Sequence, residues 1–315
     1  MIDCAIGFDT SNYTTSVAVC TLDGRVVANL KRPLPVKEGQ RGLRQSDAVF
    51  EHTRNLPIIT EELTNFLKDN GLRPVAVGVS ATPRDAEGSY MPCFLSGVAA
   101  ASSFRAALNI PLYKFSHQNG HVMAAVYSSG KRELLEDPFV AFHVSGGTTE
   151  ALLVEPSENG FNVTTVGRTA DINAGQLIDR VGVMMGLSFP AGREMERLAS
   201  EYVGKIYKHP VSVRDGVCSL SGAENIAAKL FENEKDERAV AAFVFDFVCR
   251  TLMAMGEDME RRYGKTRVLF AGGVMSNRLM RNALSRRFDA YYALPEFSAD
   301  NAAGIAILCA MAYLK

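Results

Sequence analysis

One order of elements occurs twice along this chain: a buried strand, a turn rich in glycine, serine and threonine, a β-hairpin, a helix, a strand and a helix. The first copy opens with the strand at 4–8 and the turn at 9–16, and the second with the strand at 139–144 and the turn at 145–149. Asp23-Gly24, between two apolar runs, is a strong signal for the first hairpin. This duplication predicts an α/β chain with two related halves.

A twofold, hairpin-led α/β unit is the layout of the actin, hexokinase and heat-shock-chaperone ATPases. In that fold two lobes close on a nucleotide, and the hairpin turn of each lobe grips phosphate. We therefore predict a duplicated actin-like ATPase (ASKHA) fold with a central nucleotide and metal cleft. The N-terminal lobe is predicted over residues 1–115, joined by the closing helix at 300–315. The C-terminal lobe is predicted over 116–299, with a helical insertion at about 168–235.

Hydrophobic periodicity predicts the remaining elements. Strands are predicted at 17–22, 25–30, 74–80, 150–154, 161–166, 267–271 and 291–293, with a turn at 158–160. Helices are predicted at 47–68 with Ser46 as N-cap, and at 94–108, 174–186, 223–232, 237–262, 276–287 and 301–313.

Charge excludes a protein that binds nucleic acid through a global positive field. The 34 Lys and Arg residues are balanced by 35 Asp and Glu residues, which gives a net charge of -1. RNA contact would have to use local basic patches, although such patches are as often solvated helix faces. The candidate patches are Arg261, Arg262, Lys265 and Arg267, and Arg278, Arg281, Arg286 and Arg287.

Cysteine usage and hydropathy predict the compartment. Six scattered cysteines without a CxxC pair fit a reducing environment and indicate no zinc ribbon. The N-terminus MIDCAIGFD has neither the basic region nor the long apolar run of a signal peptide. No apolar run is expected to span a membrane. We therefore predict a cytoplasmic protein with no membrane contact.

Three Gly/Ser/Thr turns, each after a predicted strand, are candidate phosphate-binding segments: 7–16, 145–149 and 272–277. Backbone N–H groups at such turns bind anions, and glycine lets phosphate approach closely. One such turn is usually only a turn, but three at matching places favour a bound nucleotide. No G-x-G-x-x-G follows a strand, and Met259 stands where a Walker A sequence ending in Gly264-Lys265 needs its first glycine.

The candidate metal site is the pair His117 and His121 in FSHQNGHVMAA. The two histidines are one helical turn apart, directly after a predicted strand, so one helix could present both to an ion. His143 and Asp300 are candidates to complete the ligand set. Imidazole with carboxylate suits Zn or Fe, whereas Mg prefers oxygen ligands alone. The alternative is that the histidines are ordinary polar residues at a helix start and that Asp300 is an N-cap.

Asp9 and Ser11, in the first turn, are the candidate catalytic residues. Asp9 either faces metal-bound phosphate or caps the tight turn. Asp179, in GQLIDRVG, is predicted on an amphipathic helix. It either accepts a hydrogen bond from a ribose hydroxyl or is a surface carboxylate paired with Arg180.

Seven stretches of the sequence are typical of one protein family: GFDTSNYTTSVAV, HQNGH, VSGGTTE, AGQLIDRVGVMMGLSFPAG, SLSGAEN, LFAGGVMSNRLMR and PEFSADNAAGIA. In this combination, and in this order over nearly the whole chain, they resemble the TsaD/Kae/Qri-type family, long described as glycoproteases. The resemblance implies an actin-like ATPase fold. It also implies transfer of a threonylcarbamoyl group from threonylcarbamoyl-AMP to adenosine 37 of ANN-decoding tRNAs.

The resemblance further implies cofactors, site residues and partners. One divalent metal ion, Fe or Zn, would be held by His117, His121 and Asp300, with His143 at the position of a metal-binding tyrosine in archaeal relatives. An ATP- or AMP-type nucleotide, or threonylcarbamoyl-AMP, would contact Ser145, Gly146 and Gly147 with its phosphate, Asp179 and Gly192 with its ribose side, and Asn277 with its adenosine side. The implied partners are tRNA and either smaller TsaB- or TsaE-like pathway proteins or a second copy in a homodimer.

The chain departs from the family pattern near the reacting end. Tyr13 and Thr14 stand where family members usually carry an acidic pair, and Thr148 replaces a usual His or Asn. Gln176 replaces an acidic residue common in bacterial members, and Ala191 replaces a glycine. Retained metal and nucleotide groups beside these changes are typical of a divergent paralogue.

Three functional hypotheses follow. The chain is a tRNA threonylcarbamoyltransferase, a divergent ASKHA-fold ATPase or transferase with another acceptor, or a non-catalytic partner subunit. The retained His117, His121 and Asp300 argue against a scaffold, which does not need them. A metallopeptidase is the weakest alternative, because Gln118 stands where the HExxH motif has its general base.

Overall fold

A computed structural model describes the chain except for residues 12, 36–42, 158–159 and 299. The chain divides into two compact units. Unit 1 comprises Met1–Arg132, Pro156–Val163 and Glu296–Lys315, and unit 2 comprises Glu133–Glu155 and Thr164–Pro295.

Strands and helices alternate in both units. The strands are β1 (Ile2–Asp9), β2 (Thr14–Thr21), β3 (Val26–Pro33), β4 (Leu72–Thr82), β5 (Leu112–Ser116), β6 (Phe139–Val144), β7 (Thr149–Ser157), β8 (Gly160–Thr169), β9 (Val213–Arg214), β10 (Val217–Cys218), β11 (Val268–Ala271) and β12 (Ala290–Tyr292). The α-helices are α1 (Gln45–Asp69), α2 (Phe94–Leu108), α3 (His117–Ser129), α4 (Ala174–Met184), α5 (Gly192–Glu201), α6 (Ser221–Glu234), α7 (Glu237–Tyr263), α8 (Arg278–Ser285), α9 (Pro295–Ser298) and α10 (Ala303–Tyr313). Short 3-10 helices cover Arg132–Glu136 and Gly273–Ser276.

Unit 1 is built on a five-stranded sheet in the order β3-β2-β1-β4-β5. β1 to β3 form an antiparallel meander, whereas β4 and β5 run parallel to β1. Side chains alternate along β1, because successive residues of a strand point to opposite faces. Ile6 and Phe8 enter an apolar core with Ile59 and Leu63 of α1, and Gly7 lies against α10.

Glycines allow α10 to pack unusually close to its neighbours. A Cβ added to Gly304 would lie 1.9 Å from the carbonyl oxygen of Gly120 on α3. A Cβ added to Gly7 of β1 would lie 2.4 Å from the backbone nitrogen of Ala306. No side chain fits at such distances, so glycine at these positions lets α10 lie directly on β1 and α3.

Unit 2 contains most of a seven-stranded sheet in the order β12-β11-β6-β7-β8-β10-β9. β11 lies parallel to both β6 and β12, and β6 and β7 form the antiparallel pair that opens the second copy of the repeat. The rings of Phe142, Phe270 and Tyr292 stack across these strands, with centroids 5.2 and 5.5 Å apart. Helix α7 supplies much of the core, including the buried Phe243.

The predicted elements agree with the structure over most of the chain, with shifted ends. The helix predicted at 94–108 and the strand at 139–144 match α2 and β6 residue for residue. Ser46 is not the N-cap of α1, since Arg44 holds that position without a side-chain hydrogen bond. The predicted turn at 158–160 falls mainly on residues outside the described part of the chain.

The two units differ in extent from the predicted lobes. Unit 1 runs to Arg132, beyond the boundary expected at residue 115, because α3 packs against α10. The closing helix lies in unit 1, where the prediction also placed it, and unit 1 further takes in Pro156–Val163.

Helix α7 is long and apolar enough to count as a candidate membrane span, although the sequence was expected to contain none. It has 27 residues, and its most apolar window has a mean hydropathy of 1.6. However, 78% of that window is buried within the protein, which is typical of a core helix. No other helix among the described residues is long and apolar enough.

We expect Gly304→Ala to destabilise the protein by about 1–3 kcal/mol, because the new methyl group would force α10 away from α3. Gly222→Ala is the matched control, since Gly222 is likewise the second residue of a helix but has no atom within 4 Å of an added Cβ. It should be neutral or stabilising by up to about 1 kcal/mol. Urea denaturation measures both. Equal stabilities of the two variants would contradict the close contact.

Candidate functional site

The start of α3 presents two histidines on one face. His117 is the first residue of the helix, and His121 follows one turn later. Their ring centroids lie 4.2 Å apart. The hydroxyl of Ser116 caps the helix by accepting a hydrogen bond from the backbone N–H of Asn119 at 3.1 Å. This cap fixes where the helix begins and therefore where both imidazoles lie.

Asp300 meets the same two imidazoles from the other end of the chain. Its Oδ1 lies 3.4 Å from Nε2 of His121 and 3.6 Å from Nε2 of His117. The Tyr13 backbone N–H also donates to the Asp300 carboxylate. Burial would raise the pKa of this carboxyl, but its hydrogen bonds and the two histidines hold the pKa well below its usual range.

The segment before Asp300 is held by contacts that come from distant parts of unit 1. The Lys31 ammonium donates to the backbone oxygen of Glu296 at 2.8 Å, and the Phe297 ring packs edge-on against Tyr127 of α3 at 5.5 Å. Asp300 is not the N-cap of α10, since Ala302 holds that position without a side-chain hydrogen bond. The side chain that accepts from the backbone N–H of Ala303, at 3.0 Å, is that of Asn301. The Asp300 carboxylate therefore points to the histidines instead of the helix.

Asp9 lies behind His117. Its Oδ2 is 2.8 Å from Nδ1 of His117, and its Oδ1 accepts from the backbone N–H of Ser11 at 2.7 Å. Asp9 thus braces the tight turn and also holds an imidazole, while its predicted role facing metal-bound phosphate stays a prediction. Burial opposes the charged form of each partner, yet the pairing lowers the pKa of Asp9 and raises that of His117 to about 8.

These groups fit a divalent metal ion. The ligand atoms of His117, His121 and Asp300 all lie within 4.8 Å of one another. Two tetrahedral ligands at about 2.1 Å from zinc are themselves about 3.4 Å apart, close to the distances measured here. A carboxylate behind a metal-binding histidine, as Asp9 is, is the usual outer support of such sites. Imidazole and carboxylate together suit Zn or Fe.

His143 stays a predicted fourth ligand. It lies on β6 of unit 2, partly buried, directly across the strand pair from Glu150. The groups that the structure brings together are His117, His121 and Asp300 of unit 1.

Several buried polar atoms of unit 1 have no hydrogen-bond partner in the part of the chain that the structure describes. They include Oγ of Ser11, Oγ of Ser80 and Nε2 of Gln118. Ser11 and Gln118 come shortly after β1 and β5, and Ser80 lies near the end of β4. His117 and Asp9 also lie at this edge of the parallel strands. Buried polar groups normally have a partner, so a ligand or water is expected there. The catalytic role of Ser11 stays a prediction.

The second glycine turn is closed by its own serine. Oγ of Ser145 accepts from the backbone N–H groups of Gly147 and Thr148, at 3.2 and 3.0 Å. Gly175, at the start of α4, packs on this turn so closely that an added Cβ would lie 2.6 Å from the nitrogen of Gly146. The N-terminus of α4 therefore abuts the turn, an arrangement that favours anions.

A cavity of about 450 Å³ opens beside this turn within unit 2. Its lining includes Gly146, Asp179, Gly192, Arg193, Glu196 and Asn277. Four of the six residues predicted to contact nucleotide thus line one cavity, whose volume is in the range of small-molecule sites. Ser145 and Gly147 belong to the adjoining turn.

Asp179 and Asn277 shape the cavity wall. Asp179 accepts from the backbone N–H of Ala191 at 2.8 Å, which fixes the turn before α5. It is not the partner of Arg180, which pairs with Glu224 at 3.3 Å. Asn277 caps α8 by accepting from the backbone N–H of Met280 at 2.9 Å, while its buried Nδ2 has no partner among the described residues.

Sequence reasoning missed α5 and two charged residues that it carries to the cavity, Arg193 and Glu196. Glu196 accepts from the backbone N–H of Arg278 at 2.7 Å. The buried Met195, Leu198 and Ala199 have helical spacing and could have revealed the helix. The missing cap obscured it, since Ala191 at the N-cap makes no side-chain hydrogen bond.

The architecture has counterparts among proteins of known structure. Solved structures of HypF share it: a full-length HypF in a phosphate- and nucleotide-bound form gives a TM-score of 0.60 at 12% identity, and T. kodakarensis HypF gives 0.64 at 14%. Both matches cover 99% of this chain, which spans 55% and 48% of those proteins. The (R)-2-hydroxyglutaryl-CoA dehydratase component A of Acidaminococcus fermentans gives 0.54 at 12%, with 99% of each chain covered. The predicted actin-like ATPase fold is confirmed.

The family follows from the sequence comparisons. The family model "TsaD: tRNA N6-adenosine threonylcarbamoyltransferase" matches residues 37–307, so the chain belongs to the TsaD family. A tRNA N6-adenosine threonylcarbamoyltransferase of Methanopyrus kandleri is 28% identical over 306 residues, which cover 96% of this chain and 85% of that protein. The predicted resemblance is confirmed, and the chain is a member of an acyltransferase family that modifies tRNA.

His52 predicts a pH dependence of stability. It is fully buried, with Nδ1 2.8 Å from Oγ1 of Thr15, and burial lowers its pKa from 6.5 to about 4. Between these pH values the unfolded chain binds a proton that the folded chain does not, so stability falls as pH decreases through this window. Relative to His52→Gln, the wild type should lose up to about 3 kcal/mol.

Urea denaturation at pH 7, 6, 5 and 4 measures this loss, with a chelator present so that metal release does not contribute. Parallel stability curves for wild type and His52→Gln would contradict the assignment of a neutral buried His52.

Proposed function

We propose that this protein transfers a threonylcarbamoyl group from threonylcarbamoyl-AMP to adenosine 37 of tRNA and uses a divalent metal ion held by His117, His121 and Asp300. The observation that carries the proposal is the convergence of these three ligand groups, braced by Asp9, in a chain of the TsaD family. We further propose that it works in the cytoplasm, with tRNA as substrate and with smaller TsaB- or TsaE-like proteins, or a second copy, as partner.

The residues of unit 1 would hold the reacting end of the substrate. The bound ion would act as a Lewis acid that polarises the carbamoyl and phosphate oxygens. His117 and His121 keep their Nε2 atoms toward it, because Asp9 engages the opposite nitrogen of His117 and the helix fixes the spacing. The Ser11 hydroxyl, which has no partner among the described residues, would donate to a substrate oxygen.

The residues of unit 2 would hold the AMP part. The turn at 145–148 and the start of α4 supply N–H groups for phosphate. Asn277 has a buried amide donor free for the base, and Asp179 fixes the turn that carries Gly192. In the reaction the N6 nitrogen of adenosine bonds to the carbamoyl carbon. The bond from that carbon to the phosphate oxygen breaks, AMP leaves with the electron pair, and the N6 proton passes to solvent.

We expect purified protein to carry one divalent ion per chain and to lose it on replacement of either histidine. His117→Ala and His121→Ala should reduce transfer to tRNA by more than about 100-fold, because each removes a ligand. His209→Ala, in unit 2, is the control and should keep both metal and activity. Elemental analysis and a reconstituted transfer assay measure this, with His143→Ala included to decide whether His143 is a ligand.

Two results would contradict the proposal in different ways. Full metal content in both His117→Ala and His121→Ala would remove the metal site. Absence of modified adenosine with wild-type protein, even with TsaB- and TsaE-like proteins added, would remove the transferase activity.

We expect Asn277→Asp to weaken nucleotide binding without unfolding the protein. Aspartate can still cap α8, but it replaces the unpartnered amide donor with a negative charge in the cavity. Affinity for AMP should fall by about 10-fold or more, as expected for loss of a buried hydrogen bond. Calorimetric titration measures the affinity, and an unchanged unfolding midpoint shows that the cap persists. Unchanged affinity would place the adenosine elsewhere.

A further inference from the structure

Tyr13 is an exposed aromatic residue whose backbone N–H contacts Asp300 of the His117, His121 and Asp300 cluster. Tyr13 is 45% exposed and is in none of the apolar clusters formed by the described residues. An exposed ring on a mobile loop would carry little meaning. Tyr13, however, is held at both ends of its backbone.

The two anchors of Tyr13 are hydrogen bonds to fixed parts of unit 1. Its N–H donates to the Asp300 carboxylate. Its carbonyl accepts from the backbone N–H of Leu34, at 2.7 Å, next to the end of β3. Thr14, which follows, is the first residue of β2. The Tyr13 side chain therefore projects from a backbone whose position is set by the same carboxylate that faces the histidines.

The other aromatic residues near the cluster are already engaged. Phe94 packs toward His117, with ring centroids 6.0 Å apart, and is only 2% exposed. Tyr127 packs against Phe297, and its hydroxyl accepts from the backbone N–H of Val26 at 3.2 Å. Tyr13 is 45% exposed and its backbone contacts Asp300, whereas the more exposed Tyr90 lies in the loop between β4 and α2.

The proposed reaction needs a group of this kind. The exocyclic amine lies at one edge of its base, so the base must be held with that edge near the reacting carbon while a face stays open for contact. Single nucleotides taken out of a helix are held mainly by stacking on aromatic side chains, and every base has a face that can stack. Tyrosine supplies a rigid ring with few rotatable bonds.

We propose that Tyr13 is the acceptor-base platform of this enzyme: its ring stacks on the face of the tRNA adenine that receives the threonylcarbamoyl group. This inference rests on the proposed function, because it takes tRNA as the acceptor. Tyr13 makes the stacking contact, and its anchored backbone sets the distance of the base from Asp300.

The absence of tryptophan from the chain provides a direct test. Tyr13→Trp introduces a single indole at the platform, whose fluorescence is quenched when a nucleobase stacks on it. We expect saturable quenching by an unmodified ANN-decoding tRNA transcript and no quenching by the same transcript with an abasic residue at position 37. Tyr313→Trp is the control, since Tyr313 is 38% exposed at the far end of α10.

Equal quenching of Tyr13→Trp by the intact and abasic transcripts would overturn the proposal, and so would quenching of the control alone. This experiment needs no turnover. It therefore tests the platform even if wild-type protein transfers no threonylcarbamoyl group, a result that would reject only the proposed activity.

The kinetics of transfer by Tyr13 variants without an introduced tryptophan provide a second test. Tyr13→Ala should lower kcat/KM for tRNA by about 10- to 100-fold, the range expected for loss of one stacked base, while bound metal and AMP affinity stay at wild-type levels. Tyr13→Phe keeps the ring and should lose less than about threefold. An active wild type with an equally active Tyr13→Ala would overturn the proposal. An equal loss in Tyr13→Phe and Tyr13→Ala would assign the effect to the hydroxyl and overturn it as well.

Discussion

The close backbone contact between α3 and α10 determines the arrangement of the candidate metal site. Gly304 and Gly120 meet where no side chain fits, and Gly7 makes a similar contact with α10 from β1. As a result the turn before α10 lies beside the first turn of α3, and Asp300 reaches two histidines that are 179 or more positions away in sequence. Glycine at these positions allows the close contact that brings the ligand groups together, and a methyl group on Gly304 would separate them.

Electrostatic interactions and hydrogen bonds stabilise the candidate metal site in addition to packing. Asp9 is fully buried, and a buried charge is stable only when it is paired and hydrogen-bonded. The Ser11 N–H and the His117 imidazole meet that need, so the same contacts that stabilise Asp9 also orient His117. Asp300 is stabilised in the same manner by both histidines and by the Tyr13 N–H. A divalent cation would balance the two carboxylates, which explains why two acids and two imidazoles can share one small region.

Much of this arrangement could be predicted from local patterns. The duplicated hairpin unit and the His117–His121 spacing are local signals, and both agree with the structure. Asp300 was a candidate ligand from its residue type and from the family resemblance, but nothing near it in sequence indicates the distant contacts that bring it to the histidines. The supports from Lys31 and Tyr127 were missed for the same reason, since each depends on contacts between remote segments. Helix α5 was missed because its start lacks a capping side chain, although its apolar spacing is helical.

Anomalous X-ray diffraction from crystals of the purified protein tests the proposed metal site most directly. Data collected on both sides of the iron and zinc absorption edges identify the ion and locate it in the same map. We expect one strong anomalous peak within about 2.3 Å of Nε2 of His117, Nε2 of His121 and an oxygen of Asp300. A peak coordinated by other residues, or no peak from protein purified without chelators, would contradict it.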